Sequence, residues 1–386
     1  MRIIHTCLRY PPASGGAENY ISGIVEHTRH LPGADVRVLT SKMRTHGPIS
    51  ELDPDRLTDD PPYIQRLHHA ATPFISYPRL QALSYYLDHH RPDIIHAYGF
   101  WYQPADIAAR YARLHNIPFI FHPIYYENRI RRKALWQLYR RTYGAATFAA
   151  ADVVVVISPF EEKIIRQAKM PIRRVELIPP GIDVGQLARP QPNPFSDRKI
   201  TGKVLLTVSR LSAGKGLDDV VSALPAVMKV QPSVQLAIAG EDFGAKHALM
   251  ITANKLGVTS RIHFLGKLSA EELIGAYQHA DVLVHPSHYE AFGIVLAEGL
   301  AAGTPIVARN VAAIPYVVPD GKAGLLFNSR EEMIKNIATL LQNNALRQKL
   351  RHQGKLRAEQ RFTWKSSIQK MAKLYHEFGQ RSLKRA

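Results

Sequence analysis

The sequence has 386 residues and one cysteine, Cys7. A single thiol excludes an internal disulfide framework and suits a reducing compartment. Cys7 falls in the apolar run Ile3–Leu8 and reads as a small core residue. Long hydrophobic runs are also missing. The longest, "FAAADVVVVISPF", is broken by Asp152 and falls short of the roughly 20 apolar residues of a membrane-spanning helix. The opening "MRIIHTCLRYPP" is too short, and too broken by Arg9 and its prolines, for a secretory signal. Carboxylates are scarce: 32 Asp and Glu stand against 50 Lys and Arg, a net charge of +18. That balance favours an anionic partner: nucleic acid, an anionic membrane surface or a phosphorylated small molecule. No helix-turn-helix, RNA-recognition or zinc-finger pattern accompanies the charge, so nucleic acid is not the expected partner. The expectation is a soluble, cytoplasmic chain.

What is present is an alternation of short apolar runs with helix-length stretches. One set of strand-like runs is Ile3–Leu8, Val36–Thr40, Ile94–Tyr98, Phe119–His122, Val153–Ser158 and Val175–Ile178. A second set is Val204–Ser209, Val234–Gly240, Ile262–Gly266, Val282–His285 and Pro305–Ala308. Near-continuous Val and Ile separated by helices indicate parallel sheets covered on both faces. Between the sets lies "GQLARPQPNPFSDRKITGK", whose prolines and lack of apolar period read as a linker. The expected fold class is α/β, two Rossmann-like doubly wound domains facing across a cleft. Ligands in such folds bind beyond the carboxyl ends of the strands.

Three stretches carry chemistry. In "HYEAFGIVLAEGLAAGTPIVA" a strand gives way to a helix near Gly293, and Gly303 closes that helix. The free N–H groups of its first turn make an anion site. Glu298 lies beyond that turn in apolar surroundings, where a lone carboxylate is costly. Eight helical residues rise about 12 Å, long for Glu290 and Glu298 to share one proton transfer. The two acids therefore read as two grips on one elongated, hydroxyl-rich ligand, such as a nucleoside diphosphate sugar. "VLLTVSRLSAGKG" places Arg210 and Lys215 after a strand, suited to phosphate, though the Walker A pattern is absent. "LRYPPASGGAENYI" places Gly15 and Gly16 in a turn before a helix, without Rossmann glycine spacing.

Together these stretches resemble the retaining glycosyltransferases of family four, which have the GT-B fold. The E-x7-E pattern at Glu290–Ala308, "SRLSAGKG", "GGAENYI", "IPPGID" at 178–183, "DGKAGLLF" at 320–327 and "RFTWKSSIQKMAKLY" at 361–375 carry the resemblance in order. It implies an acceptor-binding domain over 1–185, a nucleotide-sugar domain over 200–361, and a closing helix at 362–386 returning to the first. It implies that Arg210 and Lys215 neutralise the diphosphate, that Glu298 grips ribose and that Glu290 faces the donor sugar. The backbone of Ala291, Phe292, Gly293 and Ile294 would hold sugar or phosphate. Gly15 and Gly16 would approach the diphosphate or acceptor, and His122 would stand near the reacting sugar. Base selection would fall to the loop near Lys267. Such enzymes move a hexose from a UDP- or GDP-sugar to a hydroxyl and keep the anomeric configuration. The acceptor attacks from the face that the diphosphate leaves, so no separate base–nucleophile pair is needed.

No cofactor or metal is expected: Asp53-Pro54-Asp55 lies away from any strand end, and His285 and His288 lack a third ligand nearby. One departure is Ala312-Ala313-Ile314-Pro315-Tyr316, where the family often has G-G-x-x-E. In "NRIRRKALWQLYRRTY" the residues Arg129, Lys133, Trp136 and Arg140 recur on one helical face. A basic face with a tryptophan suits an anionic membrane surface or acceptor. The expected enzyme is a hexosyltransferase acting on a lipid-linked sugar or glycan precursor at the inner face of the membrane. The alternatives are a soluble sugar acceptor, a GT-B-like epimerase or phosphorylase, and a nucleic-acid-binding protein.

Overall fold

The computed structural model describes residues 1–13, 15–43, 60–70, 77–126 and 133–383. The chain divides into two compact units, Met1–Gly181 with Trp364–Ala386, and Ile182–Thr363.

The first unit contains β1 (Arg2–Thr6), β2 (Asp35–Ser41), β3 (Ile64–Leu67), β4 (His69–Ala70), β5 (Arg79–Leu80), β6 (Ile94–Tyr98), β7 (Phe119–His122), β8 (Val153–Val156) and β9 (Val175–Leu177). Seven of these form one parallel sheet in the order β3-β2-β1-β6-β7-β8-β9; β4 and β5 pair separately and antiparallel. The four valines of β8 are wholly buried, as β-branched residues are in a sheet covered on both faces. The helix Trp364–Leu383 belongs to this unit. Its Trp364 ring stacks on His27 and Tyr20 of the helix Gly16–Thr28, with centroids 4.8 and 6.3 Å apart.

The second unit contains β10 (Lys203–Val208), β11 (Val234–Ala239), β12 (Ile262–Gly266), β13 (Val282–His285), β14 (Ile306–Arg309) and β15 (Leu325–Phe327). They form a parallel sheet in the order β12-β11-β10-β13-β14-β15. The chain runs outward from β10 on one side, then returns to β13 on the other. The carboxyl ends of β10 and β13 therefore flank a topological switch point, where open α/β sheets bind ligands.

Three features differ from the sequence reading. The stretch 185–203 is not a free linker. It carries short helices at Val184–Ala188 and Pro194–Asp197 and buries Leu187, Phe195 and Ile200 in the second unit. Strands β3 and β15 were not anticipated. Each lies at a sheet edge and is only three or four residues long; β3 is also interrupted by Gln65 and Arg66, and β15 is too short a run to stand out.

Candidate functional site

The loop after β10 and the loop after β13 meet at the switch point. His288 N–H donates to Gly214 O at 3.0 Å. Gly216 has φ +66, and a Cβ there would lie 2.2 Å from Pro286 O, so only glycine permits this approach. Lys215 Nζ donates to Glu290 Oε1 at 2.6 Å, and His285 Nε2 lies 3.2 Å from the same oxygen. Burial alone would raise the Glu290 carboxyl. The His285 hydrogen bond and the His285 and Lys215 charges outweigh it and hold the group well below the usual carboxylate range.

Gly293, at φ +91, caps the helix Ile294–Ala302, and Gly303, at φ +81, ends it. Glu298 lies in its middle. Tyr277, fully buried, donates its hydroxyl to Glu298 Oε2 at 2.8 Å. That answers the puzzle of an acid in an apolar helix: one oxygen is paired from behind. Burial nonetheless pushes the Glu298 carboxyl up to about 7, with the tyrosine opposing the shift. The structure places Ala291, Phe292 and Ile294 around this helix start, with Phe292 buried and the other two half-buried.

Arg210 is exposed at the end of β10, its guanidinium 5.4 Å from the Phe243 ring centroid. The structure thus pairs Lys215 with Glu290 rather than grouping it with Arg210. Lys267 is exposed after β12, the edge strand, separated from β10 by β11.

Several partners were not legible in the sequence. Tyr277 and His285 hold the two acids. Arg309 donates through Nε to Pro286 O at 3.0 Å and through Nη2 to Asp219 at 2.5 Å, bracing the loop after β13. His288 Nε2 lies 3.1 Å from Asp219, so His285 and His288 serve different carboxylates. Ala313 N–H donates to Glu290 O at 3.1 Å. The loop that departs from the family pattern therefore still reaches Glu290, through backbone.

In the first unit, Gly15 precedes the helix Gly16–Thr28. A Cβ at Gly15 would fall 2.1 Å from Glu18 Oε2, and Glu18 forms a buried ion pair with Arg9 at 2.5 Å. A side chain at Gly15 would have to displace the Glu18 carboxylate from its pairing with Arg9.

His122, expected beside a reacting sugar, is enclosed by side chains of its own unit. His122 is wholly buried, with Nε2 2.9 Å from Tyr20 Oη and Nδ1 3.1 Å from His96 Nε2. Tyr20 donates its hydroxyl to Ile178 O, so it accepts from His122 Nε2, and His122 Nδ1 accepts from His96. Burial, then His5, pushes His122 down to about 3. It is a neutral core residue with both nitrogens occupied.

The basic helical face is corrected. Arg129 and the Lys133 side chain lie outside the described residues, as does Asp53-Pro54-Asp55. Trp136 is 9% exposed and packs near Phe100 and Tyr125, with Arg140 over its ring at 5.2 Å. From Arg140 to Gly144 the helix widens to a π-helix, which breaks the 3.6-residue period. Gln137, Leu138, Arg141, Thr142 and Tyr143 are exposed there. No helix among the described residues is long and apolar enough to cross a membrane.

Two Rossmann-like parallel sheets, the second with paired acids and cations at its switch point, define the GT-B class of α/β proteins. A glycosyl transferase 4-like domain matches residues 15–181, and the family of glycosyl transferases group 1 matches residues 192–357. The chain belongs to the glycosyl transferases of group 1. It is 32% identical over 206 residues to a D-inositol 3-phosphate glycosyltransferase of Segniliparus rotundus, a match covering 50% of this chain and 45% of that protein. The chain thus spans about half the length of that relative. It is 26% identical to the glycogen synthase of Mycobacterium tuberculosis, over 97% of this chain and 94% of the other. Anabaena HepE, solved with UDP and glucose, shares the fold with a TM-score of 0.78 and 19% identity, covering 98% of this chain and 100% of that one.

Proposed function

We propose that the chain transfers a hexose from a UDP-sugar to an acceptor hydroxyl, with retention and without a metal. The observation that carries this reading is the Lys215–Glu290–His285 cluster at the switch point of the second sheet, next to the glycine-capped helix start. The first-turn N–H groups of that helix suit a phosphate. Arg210 and Lys215 supply positive charge where a diphosphate leaves, and Glu298, one oxygen already held by Tyr277, offers the other to ribose hydroxyls. Glu290 faces the sugar being moved, and Lys215, by holding it ionised, leaves it an acceptor of sugar hydroxyl protons. HepE's capture with UDP supports uridine as the base.

The finer reading is an acceptor carried on a lipid at an anionic membrane surface. Its support is the net charge of +18 and the exposed Leu138, Arg141 and Tyr143. With Trp136 buried, these three replace the expected tryptophan face.

Thermal-shift titration with UDP, UDP-sugars and GDP-sugars tests the donor. A ligand at one hundred times its Kd adds about 2.7 kcal/mol of stability and raises Tm by a few degrees. Stabilisation by none of them overturns the reading. Flotation with anionic liposomes tests the membrane part, which fails if binding shows no preference for anionic lipid.

A further inference from the structure

The second unit holds a cavity of about 440 Å³ at the C-terminal end of the helix Ile294–Ala302, the end away from Gly293. Gly303 forms part of its wall, and Gln348, Arg351, His352 and Lys355 of the helix Asn344–Arg361 form another part. None of its lining residues is acidic among the described residues. Arg351 and Lys355, four apart, share one helical face.

The charges here are unevenly accounted for. The Lys355 side chain crosses Gly303, where a cation complements a helix C-terminus. Arg347, one turn before Arg351, is spent on the carbonyls of Leu340 and Leu341, at 2.5 and 2.8 Å. Arg351 has no such use. It is half-buried, and its Nε is buried with no hydrogen-bond partner. Burial lowers the Arg351 pKa, Arg347 adds to that, and Asp281 opposes it. Asp281 is itself bound to Lys203 at 2.9 Å. An unmade hydrogen bond to a buried charged group is expensive, and Arg351, which lines the cavity, carries one without a compensating carboxylate contact among the described residues.

We propose that this cavity is a second ligand site that takes a small soluble phosphate monoester, held by Arg351 and Lys355. Its volume suits a small molecule. A guanidinium is the side chain that meets a phosphate through two parallel hydrogen bonds, and Lys355 adds a point charge. The site stands apart from Lys215 and Glu290, at the other end of a nine-residue helix.

Calorimetric titration of the full chain with glucose 6-phosphate tests this, on the wild type, Arg351→Met, Lys355→Met and Lys215→Ala. Arg351→Met is expected to weaken binding about tenfold or more, the scale of one charge-assisted hydrogen bond. Lys215→Ala should bind like the wild type. If circular dichroism shows Arg351→Met unfolded, the exposed Lys355→Met decides by the same criterion. Unchanged affinity in the deciding variant, loss in Lys215→Ala, or no binding by the wild type at millimolar ester overturns the proposal. So does Arg351-dependent flotation with phosphatidic-acid vesicles in the absence of binding to the soluble ester.

Discussion

Lys215 Nζ lies 2.6 Å from Glu290 Oε1 although 75 residues separate them. The contact joins the loop after β10 to the loop after β13, and it fixes the protonation state of Glu290 before any ligand arrives. Glu290 is depressed by its partners, so its contribution to stability is present above the unfolded carboxylate pKa and is lost as pH falls through the folded value. Removing Lys215 lifts the folded value. In Lys215→Ala the acid-side loss of Tm that Glu290 contributes should therefore be smaller than in the wild type and finish at higher pH, read by thermal melts between about pH 3 and 7. Superimposable melting profiles would show that the pair does not set the Glu290 charge.

Catalysis should report the same pair. Glu290→Gln keeps the size of the side chain and loses its charge. Expected is a fall in kcat of about 10²–10³-fold, the scale of one group aimed at developing charge, with a smaller change in UDP affinity. Lys215→Ala should instead weaken UDP binding together with kcat. Steady-state kinetics with UDP-glucose, alongside UDP titration, separates the two patterns.

Glu298 sets function against stability. Its carboxyl is raised to about 7 by burial. The folded state then binds the proton more tightly than the unfolded state does, so stability falls as pH rises from the unfolded value to about 7. Glu298→Gln escapes that loss. It should melt above the wild type at pH 8 and approach it near pH 5, while losing the stabilisation that UDP gives. Donor affinity of the wild type should weaken as pH drops below 7, because ribose hydroxyls donate to the ionised form. A Gln variant that melts lower at pH 8 would contradict the burial argument.

Gly293 and Gly321 separate strain from binding. Both have positive φ, +91 and +66. An alanine at either position costs about 1–2 kcal/mol of backbone strain. At Gly321 a Cβ meets nothing within 4 Å, whereas at Gly293 it meets Leu296 at 3.0 Å beside the helix N-terminus. Both variants should melt a few degrees low, and Gly293→Ala alone should lose UDP affinity. Equal affinities would remove the helix start from the donor site.

The sequence legibility of these features follows their range. The helix at 294–302 was readable because Gly293 and Gly303 bracket an apolar run. The two-sheet fold was readable because β6, β7, β8 and β13 are fully buried and show it in composition. The Lys215–Glu290 contact was not, because it depends on β13 returning to the side of β10 opposite β11. Trp136 misled for a different reason: its basic neighbours suggested a wet face, but Phe100 and Tyr125, outside its helix, pack near it. The three loop braces, Asp219, Arg309 and Ala313, each act through partners on other elements, and no spacing rule reaches them.

His122 shows the same limit and yields the last prediction. Only the family resemblance made His122 a site residue, and its partners are His96, 26 residues earlier, and Tyr20, 102 residues earlier. The network continues from His96 Nδ1 to Tyr375 of the last helix, at 2.8 Å. His122→Ala strips Tyr20 and His96 of a partner each and opens a cavity in the sheet core. The expected loss is about 2–4 kcal/mol, since each unmet buried polar group costs on the order of 1–3 kcal/mol. Activity should behave differently. Assayed well below its Tm, His122→Ala should keep far more kcat than Glu290→Gln, because both ring nitrogens are engaged by Tyr20 and His96. A full kinetic defect in a folded His122→Ala, with its Tm intact, would return His122 to the catalytic centre.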